Sequence, residues 1–162
     1  MIIAFDPSTK NVGFVICEDN LFSFGSFEPR VQEIGKKGQF LKKNNFNAKV
    51  FYSKIKNIFE KMEFSKENKN VVLLPDMFGQ LNGTTIKKLN RLCGIIEAIA
   101  LEYDFDVIYL NESSVRTILK KEKGTNIKEK SLNYFKKNVG VNINDNDDIA
   151  DAFLILYYFL KN

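Results

Sequence analysis

The first 27 residues constrain the fold most. Residues 1–6, 12–18 and 21–27 are short runs rich in aliphatic and aromatic side chains, separated only by the polar turn Pro7-Ser8-Thr9-Lys10-Asn11 and by Glu18-Asp19-Asn20. Connections this short leave no room for a crossover, so the three runs are expected to pair as an antiparallel meander. The first run also delivers a carboxylate, Asp6, to a strand end. Sheet hydrogen bonds fix the direction of a side chain placed there, which makes it a good anchor for a metal ion.

The remaining chain changes period. Phe51, Ile55, Ile58, Phe59 and Met62 recur at helical spacing and predict a helix over 47–62. Val71-Val72-Leu73-Leu74 has the composition of a buried strand, and 106–110 that of a further one. Between them Thr84 or Thr85 is placed to cap a helix carrying Ile86, Leu89, Cys93, Ile96 and Ala100. Helices are expected over 112–121, 127–138 and 147–160, the last packing through Ile149, Phe153, Leu156, Tyr157 and Leu160. Residues 29–46, with Pro29, Gly35, Gly38 and Asn44-Asn45, are expected to form a loop or a mobile basic segment. Strands that alternate with helices add in parallel to a sheet. The expected class is therefore α/β, a mixed five-stranded sheet flanked by helices in one domain spanning 1–162. This is the element order of an RNase H-like fold.

Composition narrows the chemistry. The 162 residues are 44% hydrophobic, enough for a real core, and contain no histidine. Histidine-based triads, histidine–metal sites and histidine general bases are excluded. Cys17 and Cys93 form neither a metal-ligand pattern nor a disulfide framework. Hydrolysis would then rely on carboxylates, Lys, Tyr, Ser/Thr or a carboxylate-bound metal, and hard oxygen ligands suit Mg²⁺ or Mn²⁺ better than Zn²⁺. No apolar run approaches the roughly 20 residues of a membrane span, and no basic region precedes a long apolar one at the N-terminus. A protein of the cytoplasm, without membrane partners, is expected.

The net charge of +4 is unevenly spread. Residues 34–59 hold seven lysines and no acid, and a second basic region runs from Arg116 to Lys137. The acids gather at Asp145, Asp147, Asp148 and Asp151. Asp148 and Asp151, three apart, share one helix face, as do Asp147 and Asp151, four apart. Either pair can reach one ion, although acids in a first helical turn also serve as ordinary caps and dipole partners. Basic surface around an acidic pocket suits a polyanion whose phosphate meets a metal, and equally fits plain solvated lysine faces.

Together, Asp6 in a turn ending at Gly13 and the closing Asp148-Ile149-Ala150-Asp151-Ala152 resemble the RuvC family of Holliday-junction resolvases, in the RNase H-like superfamily. The resemblance covers nearly the whole chain and is weakest over 29–70. It implies that Asp6, Asp148 and Asp151 are metal ligands and catalytic acids. The family's fourth acid is a glutamate ending the fourth strand, with an aromatic three residues later. Aligning Phe78 with that aromatic puts Pro75 at the glutamate's place. Asp76 is the nearest substitute, although a one-residue shift turns a side chain to the other sheet face unless Pro75 ends or bulges the strand. The other possibility is a site without this ligand.

Arg116 and Lys128 match the family's basic residues near the scissile phosphate, Lys128 also in a catalytic role, and Lys120, Lys121 and Lys123 would add backbone contacts. Phe78 would stack on unpaired bases of an opened junction. The resemblance further implies two Mg²⁺ ions per site, with Mn²⁺ substituting and no small-molecule cofactor. Branched DNA would be cleaved to leave 5′-phosphate ends by a homodimer joined around residues 89–99, in a bacteriophage-type member acting in a host cytoplasm. Residues 89–99 are equally eligible as core. Two other readings stay open: a non-catalytic or weakly catalytic branched-DNA binder with a degenerate metal site, and an actin-like ATP-binding domain. The second lacks a convincing further phosphate loop.

Overall fold

A computed structural model of the chain describes residues 1–31, 45–62, 69–76, 83–144 and 146–162. Three strands, β1 (Ile2–Asp6), β2 (Val12–Glu18) and β3 (Leu21–Phe27), form the expected meander. Asp19 and Asn20 turn the second hairpin with φ of 48° and 64°. Both lie in the left-handed region that Asp and Asn tolerate and that a two-residue hairpin needs to match strand twist.

The segment expected to be a loop has paired ends. β4 (Arg30–Val31) and β5 (Asn45–Phe46) make a two-residue antiparallel ladder just before α1 (Ala48–Glu60). The rest of the sheet comes from β6 (Val71–Asp76) and β7 (Asp106–Asn111), flanking α2 (Gly83–Glu102) in the sequence. β6 lies parallel to β1 and β7 parallel to β6, giving the order β3-β2-β1-β6-β7. After β7 come α3 (Glu112–Val115), a 3₁₀ turn (Arg116–Lys121), α4 (Ile127–Val139) and α5 (Asp147–Lys161). Asn47, Asn111, Asn126 and Asn146 each accept a backbone N–H at the start of α1, α3, α4 and α5. A cap of this kind contributes about 1 kcal/mol.

Strand alternation divides the core. On one side Ala4, Val15, Cys17, Val71 and Leu73 pack against α5, with Phe135 of α4 behind it. On the other, Ile3, Phe5, Val72 and Leu74 meet Phe51, Ile55 and Phe59 of α1 and Leu92, Cys93, Ile96, Ile99 and Ala100 of α2. Those α2 residues are buried in the chain's own core. The apolar stripe within 89–99 is thus taken up by intrachain packing. α2 presents a different face to solvent, where Arg91, Gly94, Ala98 and Leu101 are exposed.

α5 is buried around most of its circumference: Ile149, Ala150, Ala152, Phe153, Leu154, Ile155 and Leu156 are all covered. Phe153 meets Phe22 edge-on at 5.7 Å and Phe135 at 5.2 Å. Burying one such side chain contributes about 2–3 kcal/mol. A carboxylate amid this surface, Asp151, has no place in the packing scheme and calls for another explanation. Among the described residues, no helix is long and apolar enough to cross a membrane.

Candidate active site

β1, β6 and β7 run in one direction, so their C-terminal ends share one sheet edge. Asp6 ends β1 there and, by the same alternation as Ile2 and Ala4, belongs to the α5 side. Its antiparallel partner is Gly13. A Cβ on Gly13 would lie 2.1 Å from the carbonyl oxygen of Asp148 and 2.6 Å from the amide nitrogen of Ile149. The first turn of α5 therefore rests directly on the β2 backbone, an approach only glycine permits. Two hydrogen bonds hold that turn in place. Asn11 Nδ2 donates to Asp148 Oδ2 at 2.7 Å, and Asn146 Nδ2 donates to Ser26 Oγ at 2.8 Å. The local sequence thus seats Asp148 and, one turn on, Asp151 opposite Asp6.

Asp6, Asp151, Glu112 and Arg116 line one cleft together with Pro75 and Leu110. Burial and then the charges of Asp151, Asp148, Glu112 and Asp147 hold the Asp6 carboxyl well above the usual range. Burial pushes Asp151 up to about 6, against the pull of the Ser131 hydroxyl and the Arg116 guanidinium. Asp148 is raised by burial and by Asp147, while the Asn11 amide opposes. Acids crowded so that ionisation is disfavoured mark a place prepared for positive charge.

Of the sequence-predicted residues, Asp6, Asp148 and Asp151 come together. Arg116 reaches the same cleft and pairs with Glu112 one helical turn before it. Lys128 Nζ lies 2.9 Å from Asp147 Oδ1, at the mouth of α5. Lys120, Lys121 and Lys123 are exposed on the 3₁₀ turn and the loop after it. Asp76 stands apart. β6 continues without a bulge through Pro75, opposite Leu110, to Asp76, opposite Asn111. Val71 and Leu73 belong to the α5 side and Val72 and Leu74 to the α2 side, so alternation puts Pro75 in the cleft and Asp76 toward α2. Burial chiefly raises Cys93 and Tyr109, and the charge of Asp76 adds a small further push to both. Phe78 and Asp145 lie outside the described residues. Glu112 is the cleft acid that sequence reading missed. Ile108 and Leu110 face α5, and carrying their alternation one step past β7 reaches Glu112.

The donor set suits a hard divalent cation: carboxylate oxygens, crowded and partly desolvated. Among the described residues, no three Asp, Glu, Cys or His side chains are disposed as they stand to hold one ion. Four of the acids have internal partners instead: Asp148 has Asn11, Asp151 has Ser131, Asp147 has Lys128 and Glu112 has Arg116.

No family model and no curated protein sequence matches the chain. Solved structures do. Thermus thermophilus RuvC in complex with a Holliday junction substrate superposes with a TM-score of 0.61 at 10% identity, over 99% of this chain and 94% of the other. A second T. thermophilus RuvC structure gives 0.60 at 12% identity, over 99% and 95%. The expected RNase H-like architecture, a mixed five-stranded sheet flanked by helices, is the architecture observed, and over almost its whole length this chain has the fold of RuvC.

Proposed function

We propose that this chain is a metal-dependent endonuclease acting on branched DNA, Holliday junctions among them. One observation carries the reading: on a RuvC fold, three acids from opposite ends of the sequence meet at the C-terminal sheet edge with their ionisation suppressed by burial and by one another. Asp6, Asp148 and Asp151 would hold the ions, Mg²⁺ with Mn²⁺ as substitute, two per site. Bound divalent ions supply an activated water and charge neutralisation at the scissile phosphate, giving 5′-phosphate ends. Arg116 and Lys128 position phosphates at the cleft, while Lys120, Lys121 and Lys123 follow the backbone by counterion release. Phe78 stacks on bases at the opened centre of the junction. A homodimer in the cytoplasm, matching a pseudo-symmetric junction, makes the paired cuts.

The test is cleavage of a synthetic four-way junction in Mg²⁺. Asp6→Asn should abolish cleavage and keep junction binding, because it removes ligand charge and leaves the basic surface intact. Normal cleavage by the variant would overturn the assignment. A second reading, a branched-DNA binder with a degenerate site, draws on Pro75 occupying a cleft position without a donor. Metal-independent junction binding with no nicking in Mg²⁺ or Mn²⁺ would select it.

A further inference from the structure

The C-terminal edge of β6 gives the cleft no ligand. Pro75 faces it and has no side-chain donor, and Asp76 is directed to the α2 side. The neighbouring strand does give one. β7 runs parallel to β6 with Leu110 beside Pro75, and Glu112 follows two residues later on the same side as Ile108 and Leu110. Glu112 opens α3, which Asn111 caps through a hydrogen bond to the Ser114 amide, so its backbone is held at the cleft wall. Its carboxylate lines the same cleft as Asp6 and Asp151, on a side chain one methylene longer than aspartate.

We infer that Glu112 is the carboxylate this chain contributes to the divalent cation in place of an acid at the end of β6. The inference rests on the metal-dependent reading of the cleft. Arg116 is then more than a phosphate contact. Paired with Glu112 at i, i+4 and close enough to stabilise the Asp151 carboxylate, it is the resident counter-ion of the metal-free cleft. Were Glu112 to hold a divalent ion, the Arg116 guanidinium would lose this partner and could receive a phosphate.

The experiment is a Mn²⁺ titration of the DNA-free protein, with free Mn²⁺ read by electron paramagnetic resonance. Glu112→Gln should weaken Mn²⁺ binding by about tenfold or more, on the scale of losses seen when a metal site loses a supporting group. Arg116→Gln breaks the same ion pair and leaves the carboxylate, so it should bind Mn²⁺ at least as tightly as the unaltered protein. Asp76→Asn should match the unaltered protein, and Asp6→Asn should lose binding. Unaltered binding in Glu112→Gln alongside loss in Asp6→Asn would overturn the Glu112 assignment alone. Equal weakening in Glu112→Gln and Arg116→Gln would also overturn it, since the pair and not the ligand would then matter. Unchanged binding in Asp6→Asn would overturn the metal reading of the cleft together with the assignment.

Discussion

Asp151→Asn is expected to stabilise the metal-free protein, the reverse of the usual effect of removing a half-buried charge that has partners. The Asp151 carboxyl is pushed from the ordinary 3.8 up to about 6, chiefly by burial and further by Asp147 and Asp148, while Ser131 and Arg116 hold it back. The folded state thus binds this proton more tightly than the unfolded state. Stability contributed by the protonated group is fully present below about pH 4, declines as pH rises, and is gone above about pH 6. A displacement of about two pKa units corresponds to about 3 kcal/mol at 1.36 kcal/mol per unit. The side chain keeps some solvent contact, so about 1.5–3 kcal/mol is the range to expect. At about 2–4 °C per kcal/mol for a chain of this size, the variant should melt about 3–12 °C higher at pH 8 in EDTA. The buried Ser131 hydroxyl also donates to the Ile127 carbonyl at 3.1 Å, so no orphaned group offsets the gain. At pH 5 the gap should narrow, because the native carboxyl is then mostly protonated. Excess Mg²⁺ at pH 8 should raise the melting temperature of the unaltered protein and leave the variant unmoved. A variant that melts lower at pH 8 in EDTA, by a margin independent of pH, would refute this reasoning and make Asp151 a structural group.

Two further outcomes follow from the same geometry. Gly13→Ala places a Cβ 2.1 Å from the Asp148 carbonyl oxygen, so α5 must retreat. Overpacking of this kind costs about 1–3 kcal/mol, and single-turnover cleavage should collapse because Asp148 and Asp151 ride on α5; unimpaired cleavage would contradict the seating of that helix on β2. Lys128→Gln should lower the slope of log affinity against log salt for junction binding by about one phosphate equivalent, read by fluorescence anisotropy, and an unchanged slope would remove Lys128 from the DNA surface.

Much of the fold was legible because local signals agreed with one another. Short connections forced the meander, Asp19-Asn20 supplied the left-handed turn, and the helical stripe of α1 matched its buried face; α5 is buried beyond its expected stripe, through Ala150, Ala152, Leu154 and Ile155, while Leu160 of that stripe is exposed. The pairing of Arg30–Val31 with Asn45–Phe46 was not legible, since a two-residue ladder is held by its tertiary setting and leaves no periodicity. The fate of α2's apolar stripe was equally hidden. A pattern shows that a face is covered and says nothing of whether the cover is the same chain.

At the site, Asp6, Asp148 and Asp151 were visible because each sits at a recognisable element end. Glu112 and Asp76 turned on how far a strand keeps its alternation. The ladder between β1 and β6 ends at Ala4 opposite Leu73, so Pro75 occupies a locally edge-like position where its missing N–H is tolerated. β6 therefore runs straight through it, and the parity of Asp76 is fixed against the cleft. Gly13 marked the turn in the sequence, while its contact with Asp148, 135 residues away, is a product of the fold alone.

The most direct measurement of the central claim is a crystal structure grown with Mn²⁺, with diffraction recorded at the manganese absorption edge. Anomalous density is expected between Asp6, Asp148 and Asp151, with the Asn11 amide displaced from Asp148. Manganese bound elsewhere on the chain, with that cleft empty and the Asn11–Asp148 hydrogen bond intact, would contradict it.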